Sequence, residues 1–136
     1  MRYLAIDYGN KRSGLAICDR DETIVSPLAV IDGQKDLLRR ITEIVENESV
    51  EAIVLGLPLN MDDSQGPQAR LVLEFAEKLK SCLRIPVYFQ DERLSSFGAE
   101  GKIAAIGFTR KKKKKRLDAI AAAEILNAFI EQKHAQ

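Results

Sequence analysis

Little in this chain could activate a nucleophile or hold a soft metal. Its 136 residues include one histidine and two cysteines. His134 falls in the polar tail Gln132-Lys133-His134-Ala135-Gln136, where solvation is expected. Cys18 and Cys82 lie far apart in apolar segments without Cys-x-x-Cys spacing, and read as reduced core residues. Histidine-dependent triads, cysteine nucleophiles and zinc sites are therefore poorly supported, and carboxylates must carry any chemistry. No apolar run approaches the roughly 18 residues of a membrane span. The N-terminus lacks a basic segment followed by an apolar one, so the expected location is the cytoplasm, away from membranes. No internal repeat is visible.

At 46% apolar and 30% charged residues, the composition is that of an ordinary folded protein, and residues 1–136 suffice for one domain with one core. The net charge of +1 is unevenly spread. Arg110-Lys111-Lys112-Lys113-Lys114-Lys115-Arg116 holds seven of the 21 basic residues, which leaves 14 against 20 acidic ones, a net of −6, elsewhere. A mildly acidic body with one cationic segment points to a polyanionic partner, although such a run also suits a solvated loop.

Periodicity predicts strands over 3–8, 13–19 and 23–31, the first two too closely spaced for anything but a hairpin. Pro27 argues for an edge position or a bulge in the third. Apolar spacing predicts a helix from about Lys35, with Leu37, Leu38, Ile41, Ile44 and Val45 on one face. A doubly buried strand over 52–57, a loop over 58–67, a helix over 68–83 and a short strand over 87–89 follow. Ser95 and Ser96 suit the cap of a helix carrying Ala99, Ile103 and Ile106 and ended by Gly107, and a last, alanine-rich helix is expected over 117–132. The fold class is α/β: an antiparallel β1-β2-β3 meander continued by parallel β4 and β5 in a mixed five-stranded sheet flanked by helices.

In such sheets, sites form beyond the carboxyl ends of the parallel strands. Asp7 ends the first strand, where a buried charge needs an offsetting partner. Gly56 and the loop after it lie at the end of the fourth strand, and Asp91-Glu92 at the end of the fifth. Asp118, expected in the first turn of the last helix, can join them, because Ala121, Ala122 and Ile125 share its face and small side chains let the helix lie close. Clustered carboxylates repel unless a cation sits among them, and an all-oxygen set suits Mg²⁺ or Mn²⁺. Two such ions about 4 Å apart would suit phosphodiester hydrolysis. Plainer readings stand beside these: Asp118 as a helix-dipole partner, Asp91-Glu92-Arg93 as a surface turn, and Asp7 as a turn cap. Asp7-Tyr8-Gly9 through Gly14 also resembles the phosphate loop of actin-like ATPases, but those close two domains over the nucleotide and this chain has room for one.

Five pieces in order, Asp7-Tyr8-Gly9-Asn10-Lys11-Arg12-Ser13-Gly14, Gly56-Leu57-Pro58-Leu59-Asn60, Gly66-Pro67-Gln68-Ala69, Asp91-Glu92-Arg93-Leu94-Ser95-Ser96 and Asp118-Ala119-Ile120-Ala121-Ala122, span the whole chain. Together they resemble the YqgF family, bacterial proteins described as Holliday-junction resolvase-like and as nucleases maturing the end of the small-subunit ribosomal RNA precursor. The resemblance implies a ribonuclease H-like fold and metal-dependent phosphodiester hydrolysis. It makes Asp7, Glu92 and Asp118 the catalytic and metal-binding acids, with Asp91 a further candidate ligand. Cys18 stands where the family suggests serine, and Asp63 where a glycine often follows Asp62.

The expected function is a nuclease acting on structured nucleic acid, foremost the 5′ end of the 16S ribosomal RNA precursor. Lys11, Arg12 and Arg93 are expected to hold phosphates near the scissile bond. Arg110, Lys111, Lys112, Lys113, Lys114, Lys115 and Arg116 would supply sequence-independent affinity. The alternatives are a resolvase of branched DNA, which would need a homodimer where an RNA trimmer can be a monomer, and a non-catalytic binding factor in ribosome assembly or transcription.

Overall fold

Alternation in Tyr3-Leu4-Ala5-Ile6-Asp7 sets the layering of the protein. In the computed structural model, which describes residues 1–94 and 110–135, these residues form β1 (Tyr3–Asp7) at the centre of a five-stranded sheet of order β3-β2-β1-β4-β5. β2 (Arg12–Cys18) and β3 (Val25–Asp32) complete the antiparallel meander, while β4 (Ala52–Leu57) and β5 (Val87–Asp91) run parallel to β1. The expected mixed sheet is present. β5 runs two residues past its expected end, so it carries Gln90 and Asp91 up to a 3₁₀ turn, Glu92–Leu94.

One face of the sheet presents Leu4, Ile6, Leu15, Ile53 and Leu55 to α1 (Leu37–Asn47) and α2 (Pro67–Cys82). These five side chains are fully buried, and each contributes on the order of 2 kcal/mol by leaving water. α2 starts on Pro67, whose fixed φ and missing N–H suit a first helical position. The other face is built from smaller side chains, Ala5, Ala16, Ala52 and Val54 with Tyr3 and Cys18, and α3 (Arg110–His134) lies across it through Ala122, Ala123, Ile125, Leu126 and Ile130. Asp7, two residues beyond Ala5, belongs to this small-residue face.

Pro27 meets both expectations. β3 is an edge strand, and its pairing with β2 slips between Leu15↔Ala29 and Ala16↔Pro27, so Leu28 bulges out. β3 begins at Val25, later than expected, because the Asp19 carboxylate takes the amides of Thr23 and Ile24 at 2.7 and 2.9 Å and closes a turn there.

Two expectations need correction. The basic run is not a loop before the last helix: α3 starts at Arg110, takes in the whole run, and places Asp118 in its third turn, beyond the reach of a first-turn dipole effect. Cys82 is exposed at the end of α2, and only Cys18 is a core thiol. His134 is exposed, as expected, and lies 3.1 Å from Glu22, which also binds the N-terminal ammonium at 2.9 Å and Lys133 at 2.8 Å. Burial works against the Glu22 carboxylate, yet these hydrogen bonds hold its pKa down to about 2, tying the chain's beginning to the end of α3. The serine cap and the helix expected through Ala99, Ile103 and Ile106 lie outside the described residues.

Gly14 fixes how closely α3 approaches the sheet, since a Cβ there would run into the backbone carbonyl of Asp118. Gly14→Ala is therefore expected to cost roughly 1–3 kcal/mol, as overpacking does. Urea unfolding measures this, and wild-type stability in the variant would mean that the helix is free to lift.

Candidate active site

Strand register places one row of residues across the small-residue face. Gly14 pairs with Asp7 across β2 and β1, Ile6 pairs with Leu55 so that Gly56 stands beside Asp7, and Gly56 pairs with Gln90. Two of the four positions carry no side chain. Above Gly56, the space a Cβ would take is filled by Glu92 Oε1 and Ile125 Cδ1, each 2.6 Å from that point. Glu92 opens the 3₁₀ turn after β5 and folds back across β4, and its carboxyl group shares a hydrogen bond with that of Asp7. Asp118 comes in over Gly14 from α3, and its Oδ2 accepts a 2.8 Å bond from Arg12 Nε on β2.

Burial dominates the electrostatics. It pushes the Asp7 pKa up from 3.8 to about 8, with the Glu92 charge, the hydrogen bond to Glu92 and the Asp118 charge all adding. Glu92 is also raised, by burial first; its bond to Asp7 opposes the rise and the Asp91 charge adds to it. Two half-buried carboxyl groups held together cannot both ionise cheaply, and a bound cation would reverse that balance. The donors are all carboxylate oxygens, the set that hard divalent cations prefer. Among the described residues no three His, Cys, Asp or Glu side chains are grouped closely enough to share one ion. Asp7 and Glu92 supply a ready pair, while Asp118 is engaged with Arg12.

The remaining candidates separate into two groups. Asp91 is gripped by Arg93, whose Nε lies 3.0 Å from both carboxylate oxygens and whose Nη2 lies 2.6 Å from one, and these bonds hold its pKa low. Arg93 also donates to the carbonyl of Asn60 at 2.9 Å and to Asp63 Oδ1 at 2.8 Å. It thus braces the loop between β4 and α2, where Asp63 holds a left-handed φ of 69° that favours glycine. Lys11 is exposed in the turn after Asp7, and the residues from Arg110 to Arg116 form the helical segment that leads to Asp118. That turn is itself secured: Gly33 N–H donates to the Lys11 carbonyl at 2.7 Å, and Gln68 Nε2 to the Tyr8 carbonyl at 3.0 Å.

Spacing along the sequence points to the acids but not to what lets them meet. By sequence Gly14 belongs to a hairpin and Gly56 marks a strand end, whereas in the fold both are places of close approach. A glycine inside an otherwise apolar strand is the signal for that. Gln90, buried beside Gly56, carries no such signal in its own neighbourhood.

Residues 1–132 match the model of the RuvX family, described as Holliday junction resolvase. A protein of Caldanaerobacter subterraneus subsp. tengcongensis named "Putative pre-16S rRNA nuclease" is 42% identical over 134 residues, covering 96% of each chain. Among solved structures, Thermus thermophilus RuvC in complex with a Holliday junction substrate superposes with a TM-score of 0.59 at 14% identity, covering 98% of this chain and 96% of that one. The fowlpox virus resolvase bound to Holliday junction DNA superposes with a TM-score of 0.58 at 15% identity, covering 98% and 99%. At these identities the two structures share the fold with this chain, the ribonuclease H-like one.

Two outcomes follow from the geometry. Between pH 3.8 and about 8 the unfolded chain has lost a proton that folded Asp7 keeps, so stability without metal should fall as pH rises through that window and level off above it. Asp7→Asn should flatten the fall and raise the melting temperature in EDTA near pH 8 by at least about 3 °C; an unchanged pH profile would mean that Asp7 is not the buried acid. Arg93→Ala should speed hydrogen exchange at the Asn60 and Asp63 amides, which now bond to Ser64 and Asn60 carbonyls, and equal protection would show that the loop holds itself.

Proposed function

This chain belongs to the RuvX family, and we propose that it is a nuclease that hydrolyses phosphodiester bonds at the 5′ end of the 16S ribosomal RNA precursor, in the cytoplasm. The observation that carries the reading is the half-buried Asp7–Glu92 pair, with Asp118 held over Gly14 near enough for its charge to act on Asp7. Asp7, Glu92 and Asp118 would hold Mg²⁺ or Mn²⁺, in two-ion form. When bound, such cations activate a water and stabilise the leaving oxygen.

The chain's own residues do the rest. Burial and like charges disfavour the ionised forms of Asp7 and Glu92, and a bound cation would offset that cost. Arg12, paired to Asp118 at 2.8 Å, positions that carboxylate and adds positive charge at the rim. Arg93 sets the path of the β4–α2 loop beside the site and keeps Asp91 occupied, which assigns Asp91 a bracing role ahead of a ligating one. Lys11 and the basic residues from Arg110 to Arg116 engage phosphates, releasing counterions. Because the run and Asp118 share one helix, nucleic acid held by the run lies beside the acids.

A second reading, resolution of four-way DNA junctions by a homodimer, is favoured by the description of the family and by likeness of fold to RuvC. The RNA reading takes the chain as a monomer and draws on the names of its relatives. Native protein with Mg²⁺ or Mn²⁺, given a 5′-extended precursor RNA in one arm and a four-way junction in the other, decides between them. Asp7→Asn should lower cleavage at least about a thousandfold with binding retained. Metal-dependent cleavage surviving in that variant would overturn the assignment. Replacing Lys111 to Lys115 with glutamine should weaken binding and reduce the salt slope by about 0.7–0.9 for each phosphate that is no longer neutralised; an unchanged slope would remove the run from the interface.

A further inference from the structure

Gln90 is the one buried side chain among the described residues that leaves a polar atom without a partner. It is 3% exposed, and its Nε2 has no acceptor. The alternation of β5 gives its direction: Val87 and Phe89 pack with the α1–α2 layer, while Tyr88 meets Tyr3 and Phe129 under α3. Gln90 therefore points to the α3 face, that of the acids. In the row across the sheet it stands beside Gly56, and the space over Gly56 is occupied by the Glu92 carboxylate. Glu92 thus lies between Asp7 on one side and an unused amide donor on the other.

A buried donor without an acceptor is a standing cost, and native structures keep such groups where a second state uses them. An apolar side chain of the same length would fill this place without that cost. The Glu92 carboxylate, held over the neighbouring Gly56, has a second oxygen to offer once the group turns toward a cation. We propose that Gln90 is a positioning residue for the metal site, its Nε2 donating to the Glu92 carboxylate when a divalent ion draws the acids together. Donors behind a ligating carboxylate fix its orientation, and losing one weakens metal binding by about 10–100-fold. The inference rests on the reading of Asp7 and Glu92 as metal ligands.

Titration calorimetry with MgCl₂ and with MnCl₂, in the absence of nucleic acid, tests it on the native chain and on Gln90→Met. The variant should bind either ion at least about tenfold more weakly, while its melting temperature in EDTA is equal or higher because the orphaned donor is gone. A purely structural role would do the opposite, lowering the melting temperature and sparing ion affinity. Should Gln90→Met not fold, the side-chain amide of Gln90 in ¹⁵N-labelled native protein must shift on Mg²⁺ saturation. Ion affinity within twofold of the native chain, or an amide that stays in place at saturation, would overturn the role of Gln90 and leave the metal site standing. A native chain that binds neither ion would overturn both.

Discussion

Everything at the candidate site depends on two half-buried carboxyl groups sharing one space under the last helix. Asp7 cannot avoid burial, because it ends the central strand on the face that α3 covers, and Glu92 is folded over Gly56 to meet it. The meeting requires a sheet without side chains at two neighbouring points, Gly14 and Gly56. It also requires a helix that approaches on alanines. The small-residue face, with its lesser hydrophobic yield, is the consequence. Most of the large apolar burial has moved to the α1–α2 side, so the stability of the fold is gathered on one face and its chemistry on the other.

This division explains what is legible in the sequence. Strand order and direction can be read because loop lengths allow few topologies: four residues between Asp7 and Arg12 force a hairpin, and a helix between β3 and β4, then between β4 and β5, forces parallel returns. Asp7 and Glu92 stand out as strand-end acids on the converging edge. The span of α3 does not, because a run of like charges opposes helix formation locally and the sequence signal for a loop is strong there. The continuous helix shows that helical propensity of lysine and arginine outweighs that repulsion in this setting. For Asp118 the sequence points to the right neighbourhood for a partly wrong reason: what brings it near Asp7 is the missing side chain of Gly14, not a place in the first turn.

The arginines illustrate a different limit. Arg12 and Arg93 carry the charge expected of phosphate contacts, but both are spent on carboxylates within the chain, Asp118 in one case and Asp91 with Asp63 in the other. Pairing of this kind depends on where distant segments end up and leaves no trace in local spacing. Asp63 shows the same coupling. An aspartate in a left-handed turn is less favourable than glycine, and here its carboxylate gains a guanidinium that glycine could not engage. The unfavourable backbone at Asp63 is thus offset by its ion pair with Arg93 from the turn after β5.

One helix carries both the densest positive charge of the chain and Asp118, so on the proposed reading affinity and chemistry would be coupled. An α-helix rises about 1.5 Å per residue, which sets Arg110 roughly 12 Å from Asp118 along the axis, about three to four nucleotides at the rise of a helical strand. A phosphate chain gripped along that segment would therefore be led toward the acids. On the proposed reading the helix would draw a polyanion to the rim whether or not metal is bound, and a cation among Asp7, Glu92 and Asp118 would offset the like charge at the centre. A nuclease built this way would hold its substrate first and become competent second, because the basic run and Asp118 share one helix.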